Sequence, residues 1–215
     1  MLEIASVGWS ICNSWVGVMA TLAFVIIQGG SPNLLYGLWF VFIMYGFVVY
    51  TLAELASVYP SAGGHHLGSN NLGSRIVALS LIAFLAATII SLVRAPTYQS
   101  AESVWVTFVD GSGWGNRGVV FFIGILTPGY MYGGLDGAIH LAEEATNARE
   151  AVPLALLSTW SLGFVTSFIV AVTAMYSAQD FTTTASRLTW AFARDTGLIF
   201  SSKLSLMNDR HQAPV

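Results

Sequence analysis

The chain has 215 residues, of which 55% are hydrophobic and 9% charged, and its net charge is −3. A soluble domain carries roughly a quarter charged residues, and a water-soluble fold of this length has no interior large enough to hide so much apolar surface. The small net charge offers no basic surface for nucleic acid, and the single cysteine, Cys12, excludes a disulfide within the chain.

The first apolar segment covers residues 4–27. Glu3 precedes it without a basic run, and Asn13-Ser14-Trp15 falls midway along it, so it reads as a retained span and not as a cleaved signal. Gln28-Gly29-Gly30-Ser31-Pro32-Asn33 has the glycine and proline chemistry of a turn. A second apolar segment covers residues 34–53, a polar link residues 57–74, and a third apolar segment residues 76–93. The polar loop 94–118 carries Tyr98, Trp105 and Trp114, side chains that suit a membrane interface. Residues 119–142 and 154–178 form the fourth and fifth apolar segments, joined by the charged link 143–153. Each segment is long enough to cross a hydrocarbon layer of ~30 Å as a helix. A helix pairs all its backbone groups without neighbours, which lipid demands. The expected fold is an all-α integral membrane protein with about five transmembrane helices.

The tail, residues 184–215, holds Arg187, Arg194, Lys203 and Arg210. Residues 185–200 suit an amphipathic helix too polar to span, and the basic charge places the tail in the cytoplasm. Arg75 and Arg149 mark a second cytoplasmic side, the one shared with the N-terminus. Five spans put the tail opposite to it, so the two charge signals disagree. A span missing just before the tail would reconcile them.

Two segments are interrupted at bilayer depth. The first contains Asn13, Ser14 and Gly17. The fourth contains Pro128-Gly129-Tyr130-Met131-Tyr132-Gly133-Gly134, then Asp136 and His140. Broken helices at that depth persist only against protein or water. The N-terminus of a half-helix suits a carboxylate, and the carbonyls of a C-terminus suit a cation. Paired breaks mark the solute site of secondary transporters, whereas single breaks often serve packing alone. Asp136 reads as a cap of the second half-helix, as a partner of another span, or as a ligand of solute or proton. His140 reads as a packing residue or a proton relay, and Trp15, Tyr130 and Tyr132 as pocket walls or as packing. Cys12 reads as a small core residue. Glu54, Glu143 and Glu144 suit interface charges or gating ion pairs.

Other chemistry finds no support. Gly113-Trp114-Gly115-Asn116-Arg117-Gly118 matches a dinucleotide-binding spacing but follows no strand. His65-His66 lacks a third metal ligand, and no nucleophile and base pair up. The expectation is a protein that is not an enzyme and takes no cofactor or metal.

Four motifs carry a resemblance. They are Asn13-Ser14-Trp15-Val16-Gly17; Leu52-Ala53-Glu54-Leu55-Ala56 followed by Tyr59-Pro60-Ser61-Ala62-Gly63-Gly64; Tyr132-Gly133-Gly134-Leu135-Asp136-Gly137-Ala138-Ile139-His140; and Ala185-Ser186-Arg187-Leu188-Thr189-Trp190. In this order the chain resembles the fungal GABA/choline-type permeases of the amino acid–polyamine–organocation superfamily. That resemblance implies a partial five-plus-five inverted-repeat transporter fold, with the fourth segment here equivalent to the family's sixth span. It also implies that the family's third, fourth and most of its eighth spans are absent, with a deletion at residues 65–75, a second near Phe181 and a C-terminal truncation. Residues 1–64 then hold two spans, residues 76–180 the family's fifth to seventh, and residues 181–215 the tail.

The resemblance implies a secondary active transporter of amino acids or related amines, by alternating access, in the plasma or vacuolar membrane. A small zwitterionic or cationic solute would place its carboxylate near the N–H groups of Ser14, Trp15, Val16 and Gly17. Its ammonium would face the carbonyls of Tyr130, Met131, Tyr132 and Gly133, with Asn13, Gly134 and Asp136 completing the site and a proton co-transported. The alternative is a non-transporting permease fragment or a helix-bundle partner.

Overall fold

The structure, a computed structural model, describes residues 8–25, 28–58, 70–95, 98–111, 113–140, 147–177, 207–208 and 213–214. Two units are present, Met1–Ser177 and Ala178–Val215. In the second, β3 (Met207–Asn208) pairs antiparallel with β4 (Ala213–Pro214), Met207 opposite Pro214. The expected tail helix at residues 185–200 lies outside the described residues.

The first unit is helical, as its composition requires. A helical stretch at residues 8–12 is followed by α1 (Ser14–Val25), β1 (Gln28–Gly29), α2 (Gly30–Val58) and α3 (Asn70–Arg94). Then come α4 (Ala101–Trp105), β2 (Val109–Asp110), α5 (Arg117–Gly124), α6 (Leu126–Gly129), a 3-10 turn (Tyr130–Tyr132), α7 (Gly137–His140) and α8 (Ala148–Ser177). Among the described residues three helices are long and apolar enough to cross a membrane unbroken: Gly30–Val58, Arg75–Arg94 and Ala148–Ser177. The other two expected spans are the broken ones. One is split at Asn13 and the other between residues 129 and 137.

Two boundaries differ from the sequence reading. The turn expected at residues 28–33 is shorter, because α2 already begins at Gly30. Pro32 costs no hydrogen bond in a first turn, where the N–H has no helical partner, so Ser31-Pro32-Asn33 is helical. The tight reversal falls on Gly29 and Gly30, at φ +95° and +73°, where a side chain would be strained. Likewise α8 begins at Ala148, ahead of Pro153. The charged residues Arg149 and Glu150 thus form its first turn rather than a loop.

The chain alternates direction. Gln28 pairs with Asp110 and Gly29 with Val109, and the Asn33 side chain donates to the Val120 carbonyl at 3.3 Å. The starts of α2 and α5 therefore share one side. The Gln99 N–H donates to the Tyr176 carbonyl at 2.9 Å, which brings the end of α8 and the approach to α4 to that side too. Asn116 caps α5 by accepting from the Gly118 and Val119 N–H groups, and Ser100 caps α4 through the Ser103 N–H. Trp105 is half-buried and donates to the Tyr176 hydroxyl at 2.9 Å, while Tyr98 and Trp114 stay exposed.

The centre of the unit is α8 against α2. Phe42 stacks on Trp160 at 4.2 Å and 4°, and the Trp160 indole donates to the Phe42 carbonyl at 3.0 Å. Trp39 meets Phe164 edge-on at 4.6 Å. On α8, Val152, Ala155 and Leu156 are fully buried. By contrast α3 leaves Ile82, Leu85, Ile89, Ile90 and Val93 exposed. In water that strip would be an aggregation liability; against acyl chains it is solvated by like material.

Candidate functional site

The two interruptions meet. Asn13 has φ +34° and is the non-glycine residue of left-handed conformation among those described. Asparagine tolerates this region better than most side chains. Its N–H still donates to the Trp9 carbonyl at 2.8 Å, and its carbonyl accepts from Val16 at 3.0 Å and Gly17 at 3.3 Å. Asn13 thus ends one half-helix and begins the next. The Val16 and Gly17 N–H groups are thus already bonded to the Asn13 carbonyl, and the Ser14 and Trp15 N–H groups stand at the positive end of the α1 dipole.

In the fourth segment α6 tightens into the 3-10 turn. Gly133 is extended, with φ −61° and ψ 121°, and Gly134 turns through φ +84°. Only glycine makes that last turn without strain. The Gly17 backbone lies directly against this turn: a Cβ built on Gly17 would fall 2.5 Å from the Tyr130 carbonyl oxygen. The Cys12 thiol donates to the Met131 carbonyl at 3.4 Å. Ile11, the last turn of the first half-helix, packs on Gly134 and Gly137. Cys12 stands in an apolar run that predicts packing alone for it. It is buried, as expected, and it also ties one break to the other.

The eleven residues singled out by sequence divide by position. Gly17, Tyr130, Met131 and Gly134 lie at the meeting of the breaks. Val16, Tyr130, Gly133 and Asp136 are exposed. Ser14 is fully buried, with its hydroxyl against Gly163 of α8 and 3.4 Å from the Cys12 sulfur. Tyr132 is buried, donates to the Trp160 carbonyl at 2.9 Å and lies 5.0 Å from the Tyr45 ring. Trp15 is held against α3. Its indole donates to Ser80 of α3 at 3.2 Å, and its ring meets Phe84 edge-on at 6.0 Å. The Asn13 side chain also reaches Ser80. Packing, the blander of the two readings for Trp15 and Tyr132, is therefore what these side chains do here.

Asp136 directly precedes α7, in the capping position, and its carbonyl accepts from the Ile139 N–H at 2.8 Å. His140 ends α7, and its side chain lies outside the described residues, as do His65, His66, Glu143 and Glu144. Glu54 is exposed near the end of α2. Among the described residues no group of three or more His, Cys, Asp or Glu could hold a metal ion. An open hollow of about 300 Å³ is lined by Phe47, Val48, Thr51 and Leu52; α2 makes it alone, so it brings no second element to a ligand.

Comparison with known proteins agrees with the motifs. The family model for amino acid permeases matches residues 65–180. The chain is 24% identical to a choline transporter of Saccharomyces cerevisiae over 88% of its own length and 48% of the relative. It is 28% identical to a swainsonine transporter of Arthroderma benhamiae, over 69% of this chain and 28% of that one. It is 30% identical to amino-acid permease 2 of Neurospora crassa, over 52% and 21%. No solved structure matches. The chain spans about half the length of the choline transporter and less of the others. The alignment with the choline transporter runs over 268 positions, more than the 215 residues of this chain. The relative thus carries stretches with no counterpart here, in keeping with the internal gaps read from the motifs. The chain belongs to the amino acid permease family, a family of integral membrane transporters and not of enzymes.

Proposed function

We propose that this chain carries the solute site of a secondary active transporter for amino acids or related amines of the GABA, choline and polyamine class. One observation carries the reading: two broken membrane segments touch at their breaks, Gly17 against the Tyr130 carbonyl and Cys12 on the Met131 carbonyl. The N–H end of α1 and the carbonyl end of the 3-10 turn then offer opposite dipoles to one small solute. Val16, Tyr130, Gly133 and Asp136 form the open side by which it enters. Alternating access moves it, a co-transported proton drives it, and the plasma or vacuolar membrane holds the protein.

A second reading has its own support. The 268-position alignment over a 215-residue chain favours a permease fragment that binds solute without moving it, or that serves as a partner in a helix bundle.

The test uses the full 215-residue chain in lipid nanodiscs and in vesicles, with labelled choline and GABA. Gly133→Leu tests the site, since Gly133 is exposed at φ −61° and a Cβ there meets the Tyr130 carbonyl alone, at 3.6 Å. Saturable binding that Gly133→Leu abolishes supports the site. Binding that survives Gly133→Leu, or no binding by the parent chain, rejects it. Uptake into vesicles with an acid exterior supports transport, and binding without uptake supports the fragment reading.

A further inference from the structure

We propose that Ser80, on α3, is a positioning residue for the first break, and that its hydroxyl holds Asn13 in the left-handed conformation from which α1 starts. The inference rests on the reading above, that the breaks form the site. It adds a residue outside both of them.

Three observations carry it. The Ser80 hydroxyl donates to the Asn13 side-chain oxygen at 3.1 Å and accepts from the Trp15 indole at 3.2 Å. One hydroxyl thus clamps the residues on either side of Ser14. Asn13 is the residue that needs holding, because at φ +34° an L side chain is strained. The clamp is also set in apolar surroundings: Trp15 packs with Trp9, Phe84 and Val170, all buried, and with the half-buried Val77 and Ala87. With little water to replace them, the two bonds have no substitute.

The consequence is mechanical. The Asn13 carbonyl accepts from both Val16 and Gly17, so the angle at residue 13 sets where the first N–H groups of α1 point. With the Asn13 and Trp15 side chains held by α3, the start of α1 is fixed where Gly17 meets the Tyr130 turn. Moving α3 would move the break. The span that the sequence reading left without a role in the site becomes its support.

The test is hydrogen–deuterium exchange of the full chain in nanodiscs, read at the Val16 and Gly17 amides, with amides of α8 as the fold control. Ser80→Ala should speed exchange at both positions about tenfold and leave α8 unchanged, the size expected for two lost hydrogen bonds. Ser80→Thr, which keeps a hydroxyl, should stay within about twofold of the parent. Glycine adopts positive φ freely, so in an Asn13→Gly background the further change Ser80→Ala should alter exchange less than about threefold. The proposal is overturned if Ser80→Ala leaves Val16 and Gly17 within twofold of the parent, if Ser80→Thr matches Ser80→Ala, or if the tenfold gain persists beside Asn13→Gly. Should Ser80→Ala fail to insert, the comparison of Asn13→Gly with Asn13→Gly/Ser80→Ala decides alone. Choline binding is measured separately, so a site without solute and a break without a clamp give different results.

Discussion

Gly17→Ala is the smallest change that loads the meeting of the two breaks. The added Cβ would sit 2.5 Å from the Tyr130 carbonyl oxygen and 3.2 Å from its carbon. Non-bonded heavy atoms settle near ~3.5 Å, so α1 and the 3-10 turn must part by about 1 Å. The obstacle is backbone, not the end of a flexible side chain, and overpacking of this kind costs ~1–3 kcal/mol. Against that, alanine in a helix is favoured over glycine by ~1 kcal/mol. The net expectation is a loss of ~0–2 kcal/mol. Gly129→Ala is the matched control. Gly129 is helical at φ −59° and ψ −32°, with nothing within 4 Å of an added Cβ, so only the propensity gain of ~1 kcal/mol acts. The two variants should therefore differ by ~1–3 kcal/mol. At ~2–4 °C per kcal/mol for a chain of this size, Gly17→Ala should melt roughly 2–12 °C below Gly129→Ala in nanodisc calorimetry. A Gly17→Ala protein that melts with Gly129→Ala, or above it, would refute the close contact.

Gly163→Ala puts a methyl group onto the Ser14 hydroxyl; it should cost ~1–3 kcal/mol, and adding Ser14→Ala should restore most of the loss in the same melting assay. Tyr132→Phe removes the hydroxyl that reaches the Trp160 carbonyl and should lower stability by ~0.5–1.5 kcal/mol without preventing insertion. In a Cys12→Ala background, Glu102→Cys and Arg149→Cys should react with an impermeant maleimide from opposite faces of a vesicle, because α4 lies by the end of α8 and Arg149 at its start. Labelling of both from one face contradicts the alternating path of the chain.

The apolar segments and both breaks are legible in the sequence because lipid imposes them through length and composition, and because Asn13 and the Pro128-Gly129, Gly133-Gly134 pairs punctuate a helix wherever they occur. Helix ends were less legible. Pro32 reads as part of a turn, but in the first turn of a helix a proline removes an N–H of little use there; Pro153 reads as the end of a charged link, yet it stands inside α8, which continues through it. The contacts across the site were not legible at all. Nothing in the spacing of Cys12 and Met131, or of Ser80 and Asn13, says that they touch; that depends on how α3 and α8 pack. Gly163 shows the same limit. It reads as one more small residue in a span, and its reason, the approach of Ser14, exists only once the two helices are side by side.

The claim that the two breaks face each other inside the membrane is tested most directly by joining them. A Cβ on Gly17 would lie 3.7 Å from that of Tyr130, within the span a disulfide bridges. In a Cys12→Ala background, Gly17→Cys/Tyr130→Cys in nanodiscs should form an intramolecular disulfide under mild oxidation, seen as a linked peptide pair by mass spectrometry and lost on reduction. Two free thiols after oxidation, in a chain that inserts and folds, would mean that the breaks stand apart.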